Sequence, residues 1–334
     1  MSTTDVGSTL PSAKPQKGRH SSKPIVKLKS TGGKKKPSKI QRREGRWAYT
    51  FISPFYIMFL IFGMAPILYS VYIAFFTWDP LDATHQYVGL QNFRDLWHDS
   101  LFWMSLRNTF SIWILSTLPQ MLMALGLASI LRNPKLRGRV FWQTVLLVPN
   151  ITSAIAIAVV FGQLFGRDFG LINIVRGYLG MSQINWIEGT ISSHIAIATM
   201  ITWRWVGYNA LIFLASMNAI SRDLYESASL DGANRLQQFF YVTLPQLKNT
   251  ITFMLVVGTI GGLQVFGEPA TLGGSFDGGD NHQFSTLTLY LFKQVKDNFA
   301  YGMASAIGIA ITIIVAIISA FNFFLTRRIS GDES

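Results

Sequence analysis

The chain has 334 residues, 49% of them hydrophobic and only 14% charged, with a formal net charge of +12 and no cysteine. Soluble globular domains carry about 25% charged residues, so this composition, with a mean hydropathy of +0.31, points to a membrane protein. Without cysteine, disulfide frameworks, thiolate metal sites and cysteine nucleophiles are excluded.

The basicity is local. Residues 1–47 hold 13 Lys/Arg against Asp5 and Glu44, while the remaining 287 residues hold 16 basic and 15 acidic side chains. A nucleic-acid-binding domain spreads positive charge over a folded face, so no nucleic-acid partner is expected. The tail is rich in Ser, Gly, Pro and Lys and includes the run Lys34-Lys35-Lys36. It buries too little apolar surface to offset its chain entropy and reads as disordered. Next to a membrane it either sets the orientation of the first helix or also holds anionic lipid.

From residue 48 onward, apolar stretches recur at about 51–77, 101–131, 140–165, 191–217, 250–268 and 302–326. Most exceed the ~20 residues that cross a bilayer. The expected fold is therefore an all-α membrane protein with six transmembrane helices. Pro54, Pro66, Pro119 and Pro149 fall inside these runs, where neighbouring helices can satisfy the freed carbonyls. Lys and Arg concentrate in the tail, the 132–139 and 218–249 loops and the C-terminus, and are sparse in the alternate connections. By the positive-inside rule both termini are cytoplasmic. Trp47, Trp78, Trp97, Trp103 and Trp186 fall near the expected interfaces. The domain division is then a basic tail at 1–47, a six-helix transmembrane body at 48–328 that includes the 218–249 loop, and a short cytoplasmic tail at 329–334.

The 218–249 connection is organised differently from a simple loop. Ser221–Asn234 is helix-prone and broken at Asp231-Gly232; Leu236–Val242 resumes with an aromatic face, and Thr243-Leu244-Pro245 ends it. This spacing predicts two short helices around a small-residue turn, exposing Phe239, Phe240 and Tyr241 unless something covers them. Asp231 is placed to cap the second helix.

Within the fourth stretch, Arg204 stands at the midpoint. A central Arg costs ~2.5–3.5 kcal/mol on insertion scales, which favours a polar cavity or a paired partner over lipid. Trp205, Tyr208 and Asn209 lie within two turns of it, with Gly207 between them. Thr259, Gln264 and Phe266 in the fifth stretch can complete a lining that mixes hydrogen-bonding groups and aromatic faces. Helix packing is the alternative role for each of them. Glu268 is the sole carboxylate near a span core, which disfavours an ion-coupled carrier. There is no Walker A loop and no metal-ligand spacing among the five histidines. No cofactor is expected on this chain.

The run Glu226-Ser227-Ala228-Ser229-Leu230-Asp231-Gly232-Ala233, followed by Thr243-Leu244-Pro245, resembles the EAA motif of the integral membrane subunits of bacterial ABC importers. The resemblance extends over roughly residues 48–328. It includes Gly89-Leu90-Gln91-Asn92-Phe93, Asn108-Thr109, Trp205-Val206-Gly207-Tyr208, Thr271-Leu272-Gly273-Gly274 and Gly302-Met303-Ala304-Ser305-Ala306. These are most similar to the maltose-permease-F-like carbohydrate subunits. Two departures are Ser227, where the family has alanine, and Ser275, where it has proline after Gly-Gly.

The resemblance implies the ABC type I importer permease fold and a transport subunit rather than an enzyme, in a bacterial plasma membrane. It would form half of the path for a di- or oligosaccharide. Its implied partners are a second homologous permease, two copies of a cytoplasmic ATPase that use ATP and Mg, an extracellular solute-binding protein and membrane lipid. It also implies that Glu226, Ala228, Asp231, Gly232, Leu244 and Pro245 couple to the ATPase, and that the fourth and fifth spans carry the sugar contacts.

Overall fold

The structure, a computed structural model, describes residues 39–79, 84–167, 169–272 and 276–329. The expectations for residues 1–38, the Gly273-Gly274-Ser275 turn and the last five residues lie outside that range. The chain divides into two compact units, one ending at Phe59 and the other beginning at Leu60. In the first, helix α1 (Lys39–Met58) begins inside the basic segment, so residues 39–47 are helical where an irregular tail was expected.

Among the described residues, the second unit is helical apart from one hairpin. A π-helical turn (Phe59–Met64) leads into α2 (Ala65–Ile73), where Pro66 sits at the first turn and leaves no donor missing from a helix interior. Strands β1 (Phe76–Asp79) and β2 (Thr84–Tyr87) then pair antiparallel. This hairpin is a correction to the all-α expectation. Its Phe76, Trp78 and Tyr87 supply the aromatic surface that strands favour, and Phe76 and Thr77 lie within the end of the first expected span, 51–77. The amide of Asn92, on α3 (Gln91–His98), anchors the segment by donating to the carbonyls of Ala74 and Phe76 at 2.8 and 2.9 Å.

The core is built on α4 (Ser100–Arg132) and α8 (Thr190–Asn218), which run side by side in the same sense. Ser111 Oγ lies 2.9 Å from His194 Nδ1, Thr202 donates to the carbonyl of Ser116 at 3.3 Å, and Ala124, Ala128 and Leu131 pack on Ala210, Phe213 and Met217. The buried face of α4 reads Ser105, Thr109, Ile112, Ser116, Gln120, Ala124, Ala128, a small and polar stripe at helical spacing. Small residues allow helix axes to approach where no hydrophobic force drives them together.

The third expected span is two helices, α5 (Arg139–Ile151) and α6 (Ala154–Phe165). The break follows from the sequence. Pro149 weakens the last turn of α5, and Ser153 starts α6 by accepting from Ala156 N–H. Beyond α6 comes α7 (Leu171–Tyr178). Trp186 was expected at an interface but is buried, its ring 4.9 Å from that of Phe165. Trp97 and Trp103 are exposed and stack edge to face.

After α8 come the short helices α9 (Arg222–Leu230) and α10 (Arg235–Gln238), a π turn (Phe239–Thr243) and α11 (Leu244–Gln246). The fifth expected span is α12 (Lys248–Leu263), interrupted at Gln264–Phe266 and resumed as α13 (Gly267–Leu272). Helix α12 runs opposite to α4, since Gly258 faces Thr117 and Gly262 faces Trp113. Helix α14 (Leu287–Lys296) and α15 (Tyr301–Ile329) complete the chain. Among the described residues, Tyr49–Ile73, Ser100–Arg132 and Tyr301–Leu325 are long and apolar enough to cross a membrane.

Candidate functional site

A cavity of about 410 Å³ opens between α4, α8 and the α12–α13 junction. Arg204, Trp205, Tyr208 and Asn209 line it from α8, and Gln264, Phe266 and Glu268 from the junction. Ser116, Thr117 and Gln120 of α4 form the third side. Two expected path residues have other roles. Gly207 faces away, and any side chain on it would collide with the Leu146 carbonyl, so it is the contact point between α8 and α5. Thr259 is fully buried; its hydroxyl donates to Leu255 O at 2.7 Å and accepts from Asn322 Nδ2 at 2.8 Å.

Arg204 Nη1 donates to Glu268 Oε1 at 3.1 Å. The Glu268 side chain is 9% exposed and that of Arg204 26%. Arg204 Nε is buried and makes no hydrogen bond with the described residues, and the guanidinium carbon lies 5.9 Å from the Trp205 ring centroid. Cavity and ion pair, alternatives at the level of sequence, are thus both present. The pair leaves the wall formally neutral. Around it, Gln120, Asn209 and Gln264 make no side-chain hydrogen bond with any of the described residues. Their amide donors and acceptors, together with the exposed rings of Trp205 and Tyr208, are available to a polar molecule with apolar faces.

Sequence reasoning missed the α4 wall and the role of Glu268. The polar residues of α4 recur every three or four positions, a signal hidden by the apolar background of the span. It also missed His194, buried at the end of α8 and bridging Ser111 and the carbonyl of Gln283 at 2.9 Å each. Nearby, the amide of Asn108 donates to the carbonyls of His282 and Ser285, and Thr109 Oγ1 accepts from Leu287 N–H. These bonds pin the 276–286 loop over α4.

A second site is the α9–α10 hairpin. Ser221 caps α9, and Gly232 turns the chain at φ +84° with nothing near its Cβ position. The positive φ is what requires glycine there. Asn234, not Asp231, caps α10, in a reciprocal capping box with Gln237; Asp231 ends α9 instead. Gln238 Nε2 bridges the helices by donating to Ser229 Oγ and the Ala233 carbonyl at 2.9 and 3.1 Å. Tyr225 Oη is 2.9 Å from Thr243 Oγ1. Glu226, Asp231 and Pro245 are exposed, and Ala228 and Leu244 are half-buried. Phe239 packs on the α4–α8 core, whereas Leu230, Leu236, Phe240 and Tyr241 are exposed. An apolar patch on a rigid hairpin is suited to contact with another molecule.

Residues 102–331 match the family described as binding-protein-dependent transport system inner membrane component. The lactose transport system permease protein LacF of Rhizobium radiobacter is 31% identical over 84% of this chain and 94% of its own length. The arabinooligosaccharides transport system permease protein AraP of Bacillus subtilis is 32% identical over 85% and 90%. Among solved structures, a bacterial alginate ABC transporter, crystallised with its alginate pentasaccharide-bound periplasmic protein, contains a chain of the same fold. It matches with TM-score 0.75 and 24% identity, covering 86% of this chain and 96% of that one. The chain thus belongs to the inner membrane components of binding-protein-dependent transport systems, as a permease subunit of an ABC transporter and not an enzyme.

Proposed function

We propose that this chain forms one half of the transmembrane path of an ATP-driven importer for a di- or oligosaccharide. The observation that carries the reading is the cavity at Arg204. It combines three amides that have no side-chain partner among the described residues, aromatic faces and a self-neutralised ion pair. Such a wall suits an uncharged polyhydroxylated cargo, whose hydroxyls take the amides and whose C–H faces lie on Trp205, Tyr208 and Phe266. The relatives named for lactose and arabinooligosaccharides support the same class of cargo.

In this reading the chain crosses the bacterial plasma membrane six times with both termini in the cytoplasm. The parallel run of α4 and α8, antiparallel to α12, agrees with alternating spans. The break in the fifth span is tolerable because Gln264, Val265 and Phe266 line the cavity. A second homologous permease completes the path, and an extracellular solute-binding protein delivers cargo. Two copies of a cytoplasmic ATPase, which bind ATP and Mg, engage the α9–α10 hairpin through Glu226, Ala228, Asp231 and Gly232, with Leu244 and Pro245 seating its return. ATP-driven closure of the ATPase pair moves the hairpin and re-orients the helices around the cavity.

Uptake of labelled oligosaccharides into vesicles carrying the assembled transporter tests the proposal. Arg204→Ala and Gln264→Ala should each weaken uptake while the complex still assembles. Unchanged affinity and rate in both would remove the cavity from the path.

A further inference from the structure

The C-terminal turn of α4, the 133–136 loop and the α9–α10 hairpin line a separate open cavity of about 630 Å³. Arg132, Lys135 and Arg235 line it from three different elements, and no Asp or Glu does. Among the described residues none of the three belongs to an ion pair. Three uncompensated cations around one cavity are notable in a body whose 16 basic and 15 acidic residues otherwise nearly balance. Repulsion between them costs free energy that an anion bound among them would recover.

Arg132 is held in place. Its Nη1 donates to Tyr225 Oη at 2.6 Å, and its guanidinium carbon is 4.3 Å from the centroid of the same ring. Tyr225 Oη is itself braced by Thr243. One edge of the guanidinium is therefore fixed by the hairpin, and its remaining N–H groups are left for the cavity. A planar donor fork with two further cations matches the several oxygens of a phosphate group. Leu136, Met217 and Phe239 add an apolar wall.

We propose that this cavity binds a phosphate group, supplied either by an anionic phospholipid head group or by a free phosphorylated metabolite. Basic pockets at the cytoplasmic ends of helices recognise lipid head groups by this chemistry, and the orientation rests on the six-span reading above. Arg235 sits on α10, and Arg132 grips Tyr225 on α9. An occupant tied to both braces the hairpin against the end of α4 and so stiffens the element that meets the ATPase.

The complete transporter in nanodiscs provides the test, read by thermal unfolding midpoint and by native mass spectrometry rather than by uptake. Failure of the cargo reading would therefore leave it intact. Wild-type protein should show a raised midpoint in discs containing phosphatidylglycerol compared with phosphatidylcholine alone, or in phosphatidylcholine discs supplied with glycerol 3-phosphate. The first result assigns the lipid as the source and the second the free anion. Lys135→Gln and Arg235→Gln, both exposed positions, should each weaken the apparent affinity about tenfold. Arg137→Gln, in the same loop but outside the cavity lining, should retain the full shift. The proposal is overturned if neither probe shifts the wild type, or if Arg137→Gln loses as much as the cavity variants, since surface charge alone would then explain the effect.

Discussion

Arg204 and Glu268 offer the sharpest test of how the main cavity is held. At 3.1 Å, two unit charges attract by about 5 kcal/mol with an effective dielectric constant near 20. Part of that is cancelled by desolvation, because the Glu268 side chain is only 9% exposed. Part is screened through Arg204, which is 26% exposed. We expect a net coupling of about 1–2 kcal/mol. The unequal burial predicts unequal variants. Arg204→Gln strands a buried carboxylate and should cost about 3 kcal/mol, whereas Glu268→Gln leaves a partly wet guanidinium and should cost about 2 kcal/mol. The double variant should lose clearly less than the sum. Reversible unfolding of all four proteins in mixed micelles supplies the cycle. Additivity within about 0.5 kcal/mol would refute the pairing argument, and a larger cost for Glu268→Gln than for Arg204→Gln would refute the burial argument.

Three further predictions follow from single contacts. Gly207→Ala drives a methyl group into the Leu146 backbone, where no side chain can rotate away. It should destabilise by about 1–3 kcal/mol and widen the α5–α8 spacing, measurable by spin-label distances. Gly232→Val forces a β-branched residue to φ +84° and should cost about 1–2 kcal/mol; proteolysis of the α9–α10 turn should rise while the transmembrane helices keep their circular dichroism. Asp277 lies in the loop over α4, and the hydrogen bond from Lys293 holds its carboxyl below its ordinary value, against the opposing effect of burial. A depressed folded-state pKa contributes stability that is present at neutral pH. It fades as pH falls into the ordinary aspartate range and is lost below the folded value. The stability gap between wild type and Asp277→Asn should therefore close on acidification, and a gap independent of pH would contradict the pairing.

Long elements and turn chemistry were legible in the sequence; long-range pairings were not. The extents of α4 and α8 follow from apolar length, and the hairpin follows from Asp231-Gly232 and Thr243-Leu244-Pro245. The cavity side chains of α8 could be named because Arg204 is costly in lipid and its neighbours fall within two helical turns. Glu268 was visible only as an acidic residue at a helix end, because its partner is 64 positions away. Gly207 and Thr259 were grouped with the cavity by proximity in sequence, although each turns toward another helix. Asp231 and Asn234 are both competent caps, and the actual register of α10 decides between them. The α5–α6 break was obscured because an apolar stretch reads the same whether one helix or two fill it. Hydropathy averages over the Ser153 that divides it.

The Gly207 seam also has a mechanical consequence. With no side chain between them, α8 and the backbone of α5 touch directly, and α8 is tied to α4 along its length by Ser111–His194 and Ser116–Thr202. Three helices thus behave as one beam, and two of the cavity's three walls belong to that beam or are fixed to it. The remaining wall turns a corner at Gln264–Phe266, where the backbone leaves helical geometry. A substitution that straightens that corner should therefore change the bore of the cavity while leaving the α4–α8 contacts as they are.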